Sequence, residues 1–122
     1  MSTESTAGPS DPPPMKSRTG AIVPWACPDC SGTLWEEKDG PLLRFECRVG
    51  HAYSPESLLE EHAATVERTM WAAIRLLEEG AAAADYLRDH SGGNAEMTRR
   101  FQEAAGRHRE NAAAIREVIA AL

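Results

Sequence analysis

A small α+β fold, a short β-hairpin followed by a long antiparallel two-helix hairpin, is what the sequence predicts, and three observations predict it. All eight prolines lie at or before residue 55. Turn residues and alternating strands fill the region before that point. After it the chain is rich in Ala, Leu, Glu and Arg, with apolar or small residues recurring in steps of four and three.

The elements can be justified in order. Residues 1–18 are rich in Ser, Thr, Pro and Gly and have almost nothing to bury, so they read as a disordered tail. Residues 19–54 hold all three cysteines and two of the three tryptophans. Within them Asp39-Gly40 is a hairpin signal, because both residues tolerate positive φ. TLWEEK lies on one side and PLLRFEC on the other. Alternation places Leu43, Phe45 and Cys47 on one face of the second strand and Arg44 and Glu46 on the other. Trp35 is the expected cross-strand partner of the apolar face.

Residues 55–122 form the helical part. Ser54 is placed to cap a helix, Pro55 suits its first position, and Tyr53 and Leu58 occupy hydrophobic-staple positions. A seam at 59, 63, 66, 70, 73, 77, 80, 84 and 87 predicts a first helix over about 55–90, roughly 50 Å long. Trp71 and Ile74 lie off that seam. Ser91-Gly92-Gly93 breaks the helix, and Asn94 caps a second one over about 94–121. The second helix repeats the rhythm through Met97, Phe101, Ala104, His108, Asn111 or Ala112, Ile115, Val118 or Ile119, and Leu122. A short glycine loop between two such helices makes an antiparallel hairpin. Alone it buries little, and it needs a neighbouring module, a protein partner or a second copy of itself.

The chemistry is concentrated in Cys27, Cys30, Cys47 and His51, spaced C-x2-C-x16-C-x3-H. A C-x2-C pair lets two sulfurs point at one ion from a tight knuckle, and CRVGH supplies the second half-site with Gly50 freeing the backbone to aim His51 inward. Two knuckles joined by a β-hairpin are the zinc-ribbon arrangement. One Zn²⁺ with four tetrahedral N and S donors is the expected cofactor. A redox C-x2-C would expect a βαβ context that this pattern lacks. Four protein ligands close the coordination sphere, whereas a catalytic zinc keeps a position open, so the expected role is structural. Three thiolates, a neutral imidazole and Zn²⁺ leave roughly one negative charge, which Arg44, Arg48 or backbone N–H groups would offset. His62 and His90 are expected at solvent or a helix end, and His108 on the seam of the second helix.

The run CPDCSGTLWEEKDGPLLRFECRVGHAYSPESLL, followed by MWAAIRLLEE, resembles the C-terminal zinc-ribbon and helical extension of some bacterial CheB-type chemotaxis methylesterases. LLRFECRVGHAYS is the most specific stretch, and the likeness spans about residues 22–88. It implies that Cys27, Cys30, Cys47 and His51 occupy the metal-binding positions of the extension. The catalytic domain of that family uses a Ser-His-Asp triad. This sequence has no G-x-S-x-G and no α/β segment before the ribbon, so the resemblance carries no hydrolase activity.

A formal net charge of -6 disfavours non-specific binding to nucleic acid or anionic membranes. No apolar run approaches the roughly 20 residues that span a bilayer, and the first residues lack a signal-peptide core. A cytoplasmic location follows as the expectation. The function expected is a non-catalytic, zinc-stabilised protein-interaction or regulatory module. It would meet a protein partner or a homodimer mate through the helical hairpin. The alternatives are a nucleic-acid-binding zinc ribbon, resting on Arg99, Arg100, Arg107 and Arg109, and an enzyme whose candidate carboxylates are Glu60, Glu61, Glu78 and Glu79; a methylesterase-like description would come only from its relatives' catalytic domain.

Overall fold

The computed structural model describes residues 20–122, so the expected disordered tail at 1–18 lies outside the described residues. The fold is the small α+β arrangement expected. Strands β1 (Leu34–Asp39), β2 (Leu42–Cys47) and β3 (Ala52–Tyr53) are followed by helices α1 (Pro55–Asp89) and α2 (Ala95–Ala120). Contacts divide the chain into two compact units, one ending at Thr65 and the other spanning Val66–Leu122.

The first unit is a three-stranded antiparallel sheet in the order β1-β2-β3. Gly40, at φ 64, opens the tight turn between β1 and β2. Asp39 pairs with Leu42, so the two residues of the turn are Gly40 and Pro41 and not Asp39 and Gly40. Leu43, Phe45 and Cys47 do share a face, with Phe45 and Cys47 buried. Their cross-strand partner is Leu34, which pairs with Cys47; Trp35 pairs with Glu46. The cause is parity: odd positions of β2 oppose even positions of β1, and a one-residue offset moves a side chain to the other face. The expectation for Trp35 therefore fails. Trp25 takes the aromatic role instead, its ring 6.1 Å from that of Phe45.

Two further pieces complete this unit. Residues 20–23 run along β1, with Val23 N–H donating to Leu34 C=O at 3.0 Å and Glu36 N–H to Ala21 C=O at 2.8 Å. Gly20 has to be glycine there, because a Cβ would fall 1.5 Å from the Glu36 carbonyl oxygen. At the start of α1, Ser54 Oγ accepts from Ser57 N–H at 3.1 Å while Ser57 Oγ accepts from Ser54 N–H at 2.9 Å. This is a reciprocal capping box with serine in the place usually held by Glu or Gln. Tyr53 and Leu58, the staple pair, are both buried in one cluster with Cys27, Leu34, Phe45 and Cys47. The first turns of α1 thus belong to the ribbon unit, and Thr65 Oγ1 donates to Pro28 C=O at 3.3 Å. For this reason the compact unit runs past the ribbon's expected end at 54, to Thr65.

The second unit is the helical hairpin. Asn94 caps α2 by accepting from Met97 N–H at 3.1 Å, and Gly92 and Gly93 take positive φ in the connection. Arg109 pairs with Asp85, and Arg116 reaches Glu78 at 2.9 Å, so residue numbers rise on one helix as they fall on the other. The seam of α1 keeps positions 70, 73, 77, 80 and 84 of the one expected, all buried or half-buried, but adds 74, 81 and 88 and leaves 59, 63, 66 and 87 exposed. Met70, Ile74, Leu77, Ala81, Ala84 and Arg88 are buried or half-buried, whereas Leu87 and Val66 are exposed. The two seams share 70, 73, 77, 80 and 84, so periodicity alone cannot separate them. Placement of bulky Ile74 in the interior, with Gly80 against the His108 ring, decides it. On α2 the matching seam is Thr98, Phe101, Ala105, His108, Ala112, Ile115 and Ile119, while Met97, Val118 and Leu122 are exposed.

Candidate metal centre

Four donors converge in the ribbon unit. The ligand atoms of Cys27, Cys30, Cys47 and His51 all lie within 4.8 Å of one another, and this cluster could hold a metal ion. The backbone explains the convergence. Cys27 N–H donates to Gly32 C=O and Ser31 N–H to Cys27 C=O, both at 2.8 Å, which closes the first knuckle. Ser31 pays for that turn with φ 62, unusual for a residue with a Cβ. In the second knuckle Cys47 N–H donates to His51 C=O at 3.0 Å, and Gly50 N–H to Cys47 C=O at 3.2 Å. Gly50, at φ 104, turns the chain so that His51 folds back on Cys47.

The separations can be compared with what an ion demands. A tetrahedral ion bound at about 2.3 Å to sulfur and about 2.0–2.1 Å to nitrogen holds sulfurs about 3.8 Å apart and sulfur about 3.5 Å from nitrogen. Cys30 Sγ and Cys47 Sγ are 3.8 Å apart. His51 Nδ1 lies 3.6 Å from Cys27 Sγ and 3.3 Å from Cys47 Sγ. The donor set therefore fits a tetrahedral ion, with Nδ1 as the imidazole donor.

The surroundings of the sulfurs were only partly foreseen. Arg44 turns to Glu46 at 3.6 Å. Backbone and hydroxyl groups reach the sulfurs instead: His51 N–H donates to Cys47 Sγ at 3.3 Å, and the Tyr53 hydroxyl lies 3.4 Å from Cys27 Sγ. The same hydroxyl is also within hydrogen-bond reach of the Asp29 carboxylate in the first knuckle, so its single proton is shared between the carboxylate and the Cys27 sulfur. Burial works against the Cys27 thiolate, but hydrogen bonds from Tyr53 and from the backbone of Cys30 and Asp29 outweigh it and bring this thiol from 9.0 down to about 7. For Cys30 the backbone of Gly32 favours the thiolate, but burial and the neighbouring Cys27 and Cys47 sulfurs together push the thiol up. Burial, then the Asp29 hydrogen bond, raises Tyr53 far above the usual phenol range, so it stays a protonated donor. The sequence marks Tyr53 as a staple residue; its position two residues after His51 was the available sign that its hydroxyl would reach the centre.

The other histidines lie apart from this cluster. His62 is exposed, and His90 stacks on Tyr86 with a centroid separation of 4.0 Å near the end of α1. His108 is half-buried on the α2 seam. Among the described residues no helix is long and apolar enough to cross a membrane. No family model, curated protein or solved structure matches the chain.

Proposed function

We propose that this chain is a zinc-stabilised, non-catalytic protein-interaction module of the kind that extends CheB-type signalling methylesterases. The observation that carries the reading is the closed set of four donors at tetrahedral spacing. Three thiolates and one imidazole are the donor set zinc prefers in structural sites. With all four positions taken by protein there is no vacancy at which a water would be activated, so the ion's work is to hold the ribbon together. Cytoplasmic residence accords with keeping three thiols reduced.

The nucleic-acid alternative is the weaker reading because three of its four arginines are answered locally. Arg99 pairs with Glu96 and Glu103, Arg100 with Glu96, and Arg109 with Asp85. Charges arranged this way are a solvated helix face rather than a phosphate track.

The test measures metal and function on one preparation. Native mass spectrometry should find one zinc per wild-type chain and none in His51→Ala; full occupancy in the variant would refute the ligand set. The metal-loaded chain should form a protein complex of defined stoichiometry and should not turn over carboxylic methyl esters. Steady ester hydrolysis that survives repurification would refute the non-catalytic half.

A further inference from the structure

Resting on the interaction-module reading, we infer that the partner of the helical hairpin is a second copy of this chain, seated on one defined face of residues 66–122.

The two flanks of the hairpin seam are chemically different. On α1 the residues just after seam positions 70, 77 and 84 are Trp71, Glu78 and Asp85. On α2 the corresponding flank is Gln102, Arg109 and Arg116. These flanks meet on one side of the hairpin, where Asp85 pairs with Arg109, Glu78 with Arg116, and the Arg116 guanidinium lies 5.9 Å over the Trp71 ring. On that side the charges are paired with one another across the hairpin.

The residues just before the other seam positions must share the opposite side. They are Ala73, Gly80 and Leu87 on α1, continued about two turns earlier by Val66, and Met97, Ala104, Asn111 and Val118 on α2, with Ala73, Gly80 and Ala104 half-buried at the edge of the seam. None is charged, and Asn111 is the single polar side chain of the eight. Val66, Leu87, Met97 and Val118 are each 39–50% exposed. The interior seam, by contrast, buries Ala81, Ala84, Ala105 and Ala112 with Ile74. Apart from Ile74 the fully buried residues of the hairpin are alanines, while four larger apolar side chains of this face stay partly exposed.

The layout of the face selects a copy of itself. Antiparallel pairing sets Val66 level with Val118, Ala73 with Asn111, Gly80 with Ala104, and Leu87 with Met97. Bulk lies at the two ends and small residues at the middle. Either two-fold axis lying in the contact plane stacks ends on ends and middle on middle, and the glycine and alanines let the backbones approach. Isologous contacts of this sort close at two copies. No charged residue stands on the face, so self-pairing meets no like-charge penalty and a charged partner would gain nothing. A stretch of two helices of this length offers about 650 Å² per copy. Two copies together bury about 1,300 Å², inside the range of stable specific interfaces. The product is a four-helix bundle.

The experiment is sedimentation equilibrium on the metal-loaded full chain, with Leu87→Glu and Val66→Glu as variants and Arg116→Ala as the control on the opposite side. The wild type should sediment at twice 13.3 kDa at micromolar concentration. Each glutamate should weaken the dimer by about 100-fold or more while far-UV helicity per chain is kept, because a carboxylate would be buried without a partner. Arg116→Ala should leave the dimer intact. A monomeric wild type at about 100 μM, or a dimer indifferent to both glutamates, overturns the inference. If such a monomer still forms a stoichiometric complex with another protein, the interaction-module reading survives; if it forms none, both fall.

Discussion

The ribbon and the hairpin solve the same problem of small size by opposite means. The ribbon unit gathers six buried residues, Cys27, Leu34, Phe45, Cys47, Tyr53 and Leu58, and two of these are ligand cysteines. Its core and its candidate metal centre are one object. The hairpin unit has a cluster of Ala81, Ala84 and Ala105, with Ala104 against it, and no cofactor donors brought together. Burial of an alanine contributes little beside burial of Leu or Phe. One unit therefore offers donors that could be completed by an ion, while the other relies on regular hydrogen bonds and helix propensity. Small domains rarely stand on their own core, and these two show that the supplement need not be the same within one chain.

The largest expected effect falls on the ribbon alone. Removing the metal with a chelator, or replacing Cys47→Ser, should unfold the sheet while α2 and the later turns of α1 persist. Structural zinc sites carry on the order of 10–16 kcal/mol of binding free energy, far more than so small a core supplies. Amide exchange resolved by residue checks this: protection should vanish in 34–53 and remain in 97–119. Equal loss in both would mean that the comparison between the units is wrong.

A middle-sized effect probes the apolar part of the ribbon. Leu34 is fully buried against the centre. Leu34→Ala should cost about 2–5 kcal/mol in metal-loaded protein by leaving a cavity. Chemical denaturation followed by Trp25 and Trp35 fluorescence would register it. A cost below 1 kcal/mol would mean that the metal alone organises the sheet and the cluster around it is incidental.

The smallest effect is a pH dependence of the metal-free chain. Cys27 titrates at about 7 in the fold and at 9.0 when unperturbed. Its thiolate is favoured by the folded state, so this contribution is fully present above 9, shrinks as pH falls from 9 towards 7, and is gone below about 7. Residual ribbon structure in metal-free protein should increase between pH 7 and 9, and Tyr53→Phe should flatten that increase. A residual structure that declines over the same range would contradict the hydrogen bond from Tyr53 as its source.

Much of this was legible from residues alone, and the exceptions have physical reasons. C-x2-C and CRVGH could be read because metal ligation needs particular donor atoms at short spacing. Ser54-Pro55 and Asn94 could be read because caps act within a single turn. Trp35 was misplaced because size is a poorer guide to strand pairing than parity. The α1 seam was expected through 66 and 87 and without 74, 81 and 88 because alanines and a glycine give a periodicity no strong direction. Residues 20–23 along β1 depend on contacts between distant segments, and no local pattern announces them.

The capping box at Ser54 and Ser57, with Leu58 in the ribbon's core, has a practical consequence for dissecting the chain. A fragment cut where the last strand ends would lose its staple, its helix cap and the hydroxyl that holds the Pro28 carbonyl. The portable piece is 20–65, about three helical turns longer than the strands suggest, and grafting experiments should carry those turns along.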